Sequence, residues 1–191
     1  PVMLSAAIAC LEAWRAEGGP EPAAVAGHSL GEYSALVAAG AMTLADALPL
    51  VRLRAEAMQR AVPVGAGAMA AILGLDADKV GVICAEVAAA TGAVVAPANF
   101  NDPLQTVIAG AKAAVDAACD RLKAAGAKRA LPLPVSAPFH CALMAPAAEE
   151  LRAHLAAVRI GTPRIPVVNN IDVATPGAPD AHHECDVCVI G

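Results

Sequence analysis

The sequence predicts a mixed α/β fold in which a parallel-sheet core is interrupted by an inserted module of βαββαβ order. Three patterns lead there. Near the start, an amphipathic stretch, a short apolar run and a second helical pattern follow one another around Gly-His-Ser-Leu-Gly. Between residues 67 and 135, strand and helix patterns run in the order strand, helix, strand, strand, helix, strand, which is the ferredoxin-like arrangement. Beyond it a helical pattern resumes, and the apolar run at residues 165–169 is placed to rejoin the first sheet.

Residues 2–17 carry Leu4, Ile8, Leu11 and Trp14 on one helical stripe, which Gly18, Gly19 and Pro20 stop. Residues 23–26 read as a buried strand, and Gly27 to Gly31 as a tight turn into a helix that ends at Gly40. Thr43, followed three residues later by Asp46, is a capping-box pattern. It opens a helix with apolar positions Leu44, Leu48, Val51, Ala55, Met58 and Val62. Pro49 predicts a kink or a late start there, because its ring removes a backbone donor. Arg54 falls on the flank of that apolar stripe, between Ala47 and Met58, while Arg52 and Arg60 point outward. A guanidinium at the edge of an apolar face calls for an anion. In the inserted stretch, residues 68–75, 94–99, 105–109 and 128–135 read as strands and residues 76–90 and 111–125 as helices, with Gly126 as a cap. Residues 144–157 are again helical.

Composition narrows the function. Hydrophobic residues make up 58% of the 191, yet aromatics only 2%, so alanine carries the apolar content and close-packed helices are expected. The formal charge is −5 with the basic residues scattered, which argues against nucleic acid as a partner. The longest uncharged runs, residues 61–75 and 131–148, are broken by glycine or proline, so no membrane span is expected. Six unevenly spaced cysteines in a chain this long and apolar fit reduced thiols in the cytoplasm. Cys185 and Cys188 beside His182 and His183 can bind zinc in principle, but no second ligand pair frames them, and residues 174–191 read as a divergent tail without a metal.

The turn around Ser29 is where chemistry is expected. A G-x-S-x-G between strand and helix pushes the serine out at the tip, beside the free N–H groups and positive dipole end of the helix. Such a serine is either a nucleophile for acyl transfer or the cap of a glycine-rich turn. A serine nucleophile needs a base. Of five histidines, His28 points off the far side of the turn, His154 sits on a charged helix and His182 and His183 fall in the tail. His140 lies in a proline-punctuated loop just past the inserted module, where it can be a base or a structural residue.

The segments GHSLGEYSALVAAG, VRLRAEAMQ, GAMAAILGL, PANFNDPLQTVIAG, AKRALPLPVSAPFHCALM and PVVNNIDV together resemble, in order and spacing, the malonyl-CoA:acyl-carrier-protein transacylases and the acyltransferase domains of polyketide synthases. The resemblance runs over residues 1–173. It implies an α/β-hydrolase-like core, at residues 1–62 and 135–173, with the ferredoxin-like insert at 63–134. It also implies that Ser29 is the nucleophile, His140 the base, Arg54 the partner of the malonyl carboxylate and the Leu30 N–H an oxyanion donor. Phe139 then bears on malonyl against methylmalonyl selection, and Asn99 and Asn101 match an asparagine pair near the family's site, or are turn residues before Asp102 and Pro103. The implied substrates are malonyl-CoA and the phosphopantetheine thiol of acyl carrier protein. No cofactor, metal, nucleic acid or membrane is implied, and a cytoplasmic monomer is expected.

Two parts of the family's site, an N-terminal glutamine loop and a C-terminal glutamine that orients the histidine, find no counterpart in the chain, so the polypeptide alone is expected to be weakly active or inactive. The competing assignment is a serine esterase or thioesterase with Asp102 orienting His140. A third is a carrier-protein-binding module using Lys112, Lys123, Lys128 and Arg129. Acyl transfer requires that the Ser29 hydroxyl, the His140 imidazole and the Arg54 guanidinium converge.

Overall fold

A computed structural model describes residues 1–170, which form a parallel and an antiparallel sheet with helices. The segment at 174–191, with His182, His183, Cys185 and Cys188, lies outside the described residues. The chain divides into two compact units, one holding Pro1–Ala55 and the described part of Glu149–Val189, the other Glu56–Ala148.

The first unit contains α1 (Val2–Ala16), β1 (Val25–Ala26), α2 (Gly31–Ala38), most of α3 (Leu44–Ala61), the end of α6 (Ala145–Leu155) and β6 (Val167–Val168). β1 and β6 pair in parallel, Val25 opposite Val167 and Ala26 opposite Val168. The rejoining strand expected from residues 165–169 is therefore present. Ala35 of α2 and Ala39, which follows its last turn, pack on Ile165 and Val167, with Val25 and Leu36 alongside. These small side chains bring helix and loop backbones close, and Arg164 N–H donates to Ala39 O at 2.8 Å.

Three expectations are corrected here. Residues 23–26 do not form a buried strand: only Val25 and Ala26 are extended, one half-buried and the other exposed, because β1 has a single partner strand among the described residues. Leu4 and Ile8 of α1 are buried as expected, but Trp14 is 53% exposed. Its indole N–H donates to Pro20 O at 2.9 Å and its ring lies over Gly19, so it closes the turn after α1 instead of entering a core. Lastly, of the kink or late start expected from Pro49, the late start does not occur. Thr43 Oγ1 accepts from Asp46 N–H at 3.1 Å and donates to Asp46 Oδ2 at 2.6 Å, fixing the helix start before Pro49, which the helix then passes through.

The second unit is built on β2 (Gly67–Leu73), β3 (Val95–Asp102), β4 (Gln105–Ala111) and β5 (Arg129–Pro132), ordered β3-β4-β2-β5 with every neighbour antiparallel. α4 (Ala77–Thr91) joins β2 to β3, and α5 (Lys112–Ala124) joins β4 to β5. Asp76 caps α4 by accepting from Asp78 N–H at 2.9 Å. Strand periodicity separates two faces. Ala70, Ile72, Ile108 and Ala130 point to one, where Val80, Ile83, Val87, Val115 and Leu122 of the two helices complete a core. Met69, Ala71, Val107 and Ala109 point to the other, and Leu133, Phe139, Cys141 and Leu143 pack on it.

Two boundaries move. β3 continues through Asn99 and Asn101 to Asp102, so these asparagines are strand residues; the bend follows at Asp102, whose Oδ1 accepts from Leu104 N–H at 3.0 Å. β5 stops at Pro132 and not at Val135, since neither Pro132 nor Pro134 has an N–H to continue a ladder.

Candidate active site

β1 ends at Ala26, and the chain turns into α2 through Gly27, His28, Ser29 and Leu30. Only a glycine fits at 27: a Cβ there would lie 2.0 Å from the backbone carbonyl of Gly31. Gly31 itself has open space around its Cβ position, so the close approach requires a glycine at 27 and not at 31. Ser29 takes φ 53, a left-handed conformation uncommon for a residue with a Cβ. The following N–H groups of Gly31, Glu32 and Tyr33 donate back to His28, Ser29 and Leu30 carbonyls at 2.9, 3.1 and 3.2 Å. Ser29 N–H donates to Asn170 Oδ1 at 2.7 Å. Among the described residues none accepts from the Leu30 N–H at the head of α2. That leaves one backbone donor beside the Ser29 side chain where the helix dipole is positive.

Arg54 enters from α3. It is 8% exposed, and its Nη2 donates to Ser29 Oγ at 2.8 Å. The expected stripe is displaced: Ala55 is exposed, and Arg54 lies not on the flank but within the buried face with Leu50, Val51, Ala57 and Met58, from which its guanidinium reaches the elbow. A guanidinium has a second edge of donors for a carboxylate, and a neutral group could not use them.

Two residues of this site carry no clear sequence signal. Glu32, in the first turn of α2, is only 5% exposed, and burial raises its carboxyl from 4.5 to about 7, partly offset by the Asn170 backbone N–H that donates to it. In the sequence it is indistinguishable from an ordinary acidic residue at a helix start. Asn170 gives its side chain to both sides of the turn, since Nδ2 also donates to Gly27 O at 2.6 Å. Its partners lie more than 140 residues away, beyond any local pattern.

His140 and Phe139 lie in the second unit, on the segment laid across the sheet face of Met69, Ala71, Val107 and Ala109. Gly67 admits that segment: a Cβ there would meet Pro138 Cγ at 2.4 Å. Cys141 Sγ donates to Pro138 O at 3.2 Å, tightening the bend that contains the histidine. His140 takes φ 59, and among the described residues it and Ser29 are the two non-glycine residues with positive φ. Asn99 lies on β3 of the same unit, half-buried beside a bulge opposite Val107. Asp102 is exposed, and its Oδ1 serves the β3–β4 turn. No group of three His, Cys, Asp or Glu side chains among the described residues is arranged to hold a metal, and no described helix is long and apolar enough to cross a membrane.

A strand-to-helix elbow that presents a serine to a buried guanidinium is equipment for moving anionic acyl groups. The chain belongs to the acyl transferase domain family, whose model matches residues 1–187. It is 57% identical over 173 residues to the malonyl CoA-acyl carrier protein transacylase of Escherichia coli, covering 91% of this chain and 55% of that protein. A crystal structure of an acyl-carrier-protein S-malonyltransferase from Burkholderia pseudomallei superposes with a TM-score of 0.91 at 60% identity, covering 98% of this chain and 61% of that one. A malonyl-transacylase solved in complex with its type II polyketide-synthase acyl-carrier protein superposes equally well, at 51% identity, covering 97% of this chain and 59% of that one. The chain spans about half the length of the curated relatives it matches.

Proposed function

We propose that the protein at its natural length transfers malonyl groups from malonyl-CoA to the phosphopantetheine thiol of an acyl carrier protein, through a malonyl ester on Ser29. The observation that carries this is the Arg54 contact: a buried guanidinium bonded at 2.8 Å to a serine hydroxyl at the tip of an elbow. In the proposed sequence the Ser29 oxygen attacks the thioester carbonyl while His140 takes its proton, and the tetrahedral oxyanion is met by the Leu30 N–H. Collapse expels the coenzyme A sulfur, which receives the proton from His140. The carrier protein's thiol then repeats the cycle in the opposite sense. Arg54 holds the malonyl carboxylate throughout. The left-handed backbone at Ser29 and at His140 supports a functional role for each, because strained residues concentrate at functional sites.

The fold belongs to the same reading. The order β3-β4-β2-β5 with two crossing helices supports a ferredoxin-like insert, and the parallel pair ahead of the elbow supports a hydrolase-like core around it. Phe139, next to His140 in the chain and packed on the sheet face with Cys141, bears on the size of the acyl group, and Asn99 on its surroundings. The protein works as a cytoplasmic monomer without metal or cofactor. Lys112 and Lys123 pair with Asp116 and Asp120 on their own helix, which supports a solvated surface over a dedicated docking edge. The esterase alternative is not favoured, as Asp102 is committed to a turn and the relatives are transacylases.

Incubation with malonyl-CoA, digestion and mass spectrometry test this. Malonyl is expected on the peptide containing Ser29, absent in Ser29→Ala, and transferable to a holo carrier protein. Release of malonate to water with no transfer to a thiol would establish the esterase instead.

A further inference from the structure

The side chain of Asn170 occupies the place where a sheet would continue if the elbow had not bent the chain away. β1 and β6 run in parallel with Ala26 opposite Val168, so extending the register sets Asn170 across from His28, in the turn itself. There the carboxamide bridges the turn: Oδ1 accepts from Ser29 N–H at 2.7 Å, and Nδ2 donates to Gly27 O at 2.6 Å. A carboxamide presents an acceptor and a donor side by side, the same pair a peptide group presents, and can therefore carry a ladder one step past a bend. The backbone of Asn170 is held in turn, since its N–H donates to the buried Glu32 carboxyl in the first turn of α2. One residue at the end of β6 is thus tied both to the entry of the elbow and to the helix that leaves it.

Two features of the elbow depend on this tie. Ser29 sits in a left-handed conformation that a residue with a Cβ resists, and the bridge fixes both peptide groups flanking His28, the second of which enters Ser29 and anchors one side of its φ torsion. The bridge also occupies the Ser29 N–H, so that the Leu30 N–H is the donor left at the head of the helix. We propose that Asn170 is a positioning residue for acyl transfer, its carboxamide clamping Gly27 to Ser29 so that the Ser29 hydroxyl faces the acyl carbon and the Leu30 N–H faces the oxygen bonded to that carbon. This role rests on Ser29 being the nucleophile.

The test is the rate at which malonyl-CoA acylates Ser29, by rapid quench, together with steady-state kcat and KM, in the protein at its natural length. Asn170→Ala removes both bonds and is expected to slow acylation on the order of 100-fold, the scale of a small misplacement of reacting groups. The KM for malonyl-CoA should stay within about threefold, the mark of an interaction that matters to the transition state. Asn170→Asp keeps the size and the acceptor but sets an oxygen against the Gly27 carbonyl, and is expected to fall as far. It decides the matter if the alanine variant does not fold. Parental acylation rates in the folded variants, or a raised KM at unchanged kcat, would overturn the role of Asn170 alone. Absence of malonyl on Ser29 in the parent protein would overturn the proposed function and this role with it.

Discussion

Replacing Arg54 by alanine separates recognition of the malonyl carboxylate from the chemistry at Ser29. The guanidinium is buried and already bonded to the Ser29 hydroxyl through Nη2, so its loss removes one contact to the nucleophile and the proposed pair of bonds to the substrate carboxylate. A hydrogen bond to a charged group contributes roughly 1.5 to 3 kcal/mol, so two give roughly 3 to 6 kcal/mol. Water entering the vacated space recovers part of that. The lower half of the range corresponds to a fall in kcat/KM for malonyl-CoA of about 100- to 1000-fold, at about 1.4 kcal/mol per factor of ten. Acetyl-CoA presents no carboxylate and reports only the lost contact to the serine and any disturbance of the elbow. The quantity to measure is therefore the ratio of kcat/KM for the two thioesters, in parent and Arg54→Ala, with the carrier protein's thiol as acceptor. The ratio is expected to collapse towards one. An equal fall for both thioesters, leaving the ratio unchanged, would show that Arg54 serves the serine and not the acyl group, and would refute the carboxylate assignment.

Other substitutions follow from local geometry. Gly27→Ala forces a Cβ to 2.0 Å from the Gly31 carbonyl and should abolish Ser29 acylation or folding, whereas Gly31→Ala meets nothing within 4 Å and should unfold within about 1 kcal/mol of the parent, as thermal melts would show. Because burial raises the Glu32 carboxyl from 4.5 to about 7, the native state keeps a proton that the unfolded chain has released. The parent should accordingly lose stability, by up to about 3 kcal/mol, as pH rises from 4.5 to 7, and Glu32→Gln should lack that slope in denaturant titrations across the window. Of the four described cysteines, Cys10 is exposed and should react with a maleimide in the native state, while Cys84, Cys119 and Cys141, buried and with raised thiol pKa values, should react only on unfolding. Peptide mapping of the labelled protein distinguishes them.

Much of the fold could be read from the chain because its signals are local and repeated. Asp76 before α4, Thr43 with Asp46 before α3 and Gly126 after α5 mark helix ends by chemistry that acts within four residues. Errors arose where a neighbour distant in sequence decides the outcome. Trp14 fits an amphipathic stripe as well as Leu4 does, yet the carbonyl of Pro20 draws its indole outward. The strand is expected to end at Asn99, and Asn101 belongs to the usual vocabulary of turns, but pairing of Asn99 with Val107 and of Phe100 with Thr106 on β4 carries the segment on to Asp102. Helical periodicity puts Arg54 on the flank of an apolar stripe running through Ala55, but Ala55 is exposed and Arg54 lies within the buried face beside Leu50, Val51, Ala57 and Met58, where Ser29 Oγ, distant in sequence, accepts from its guanidinium.

The site divides along the same line. Ser29 declares itself because the glycines around it are a local requirement of the bend, while Asn170 and Glu32, which hold the bend, are an ordinary turn residue and an ordinary helix-start acid until the chain is folded. Local preference even runs against the result. A left-handed conformation at a serine or a histidine costs of order 1 to 3 kcal/mol, and folding tolerates it only where surrounding bonds leave no alternative. At Ser29 those bonds are the Asn170 bridge and the contact of Gly27 with Gly31. At His140 they are the Cys141 bond to Pro138 and the seating of Pro138 against Gly67. Each strained residue is thus held by a glycine that admits a close approach and by a side chain that satisfies the backbone nearby. Strain maintained in this way, at the two residues proposed as nucleophile and base, is a stronger guide to function than any single residue type, because the fold would relax it if nothing required it.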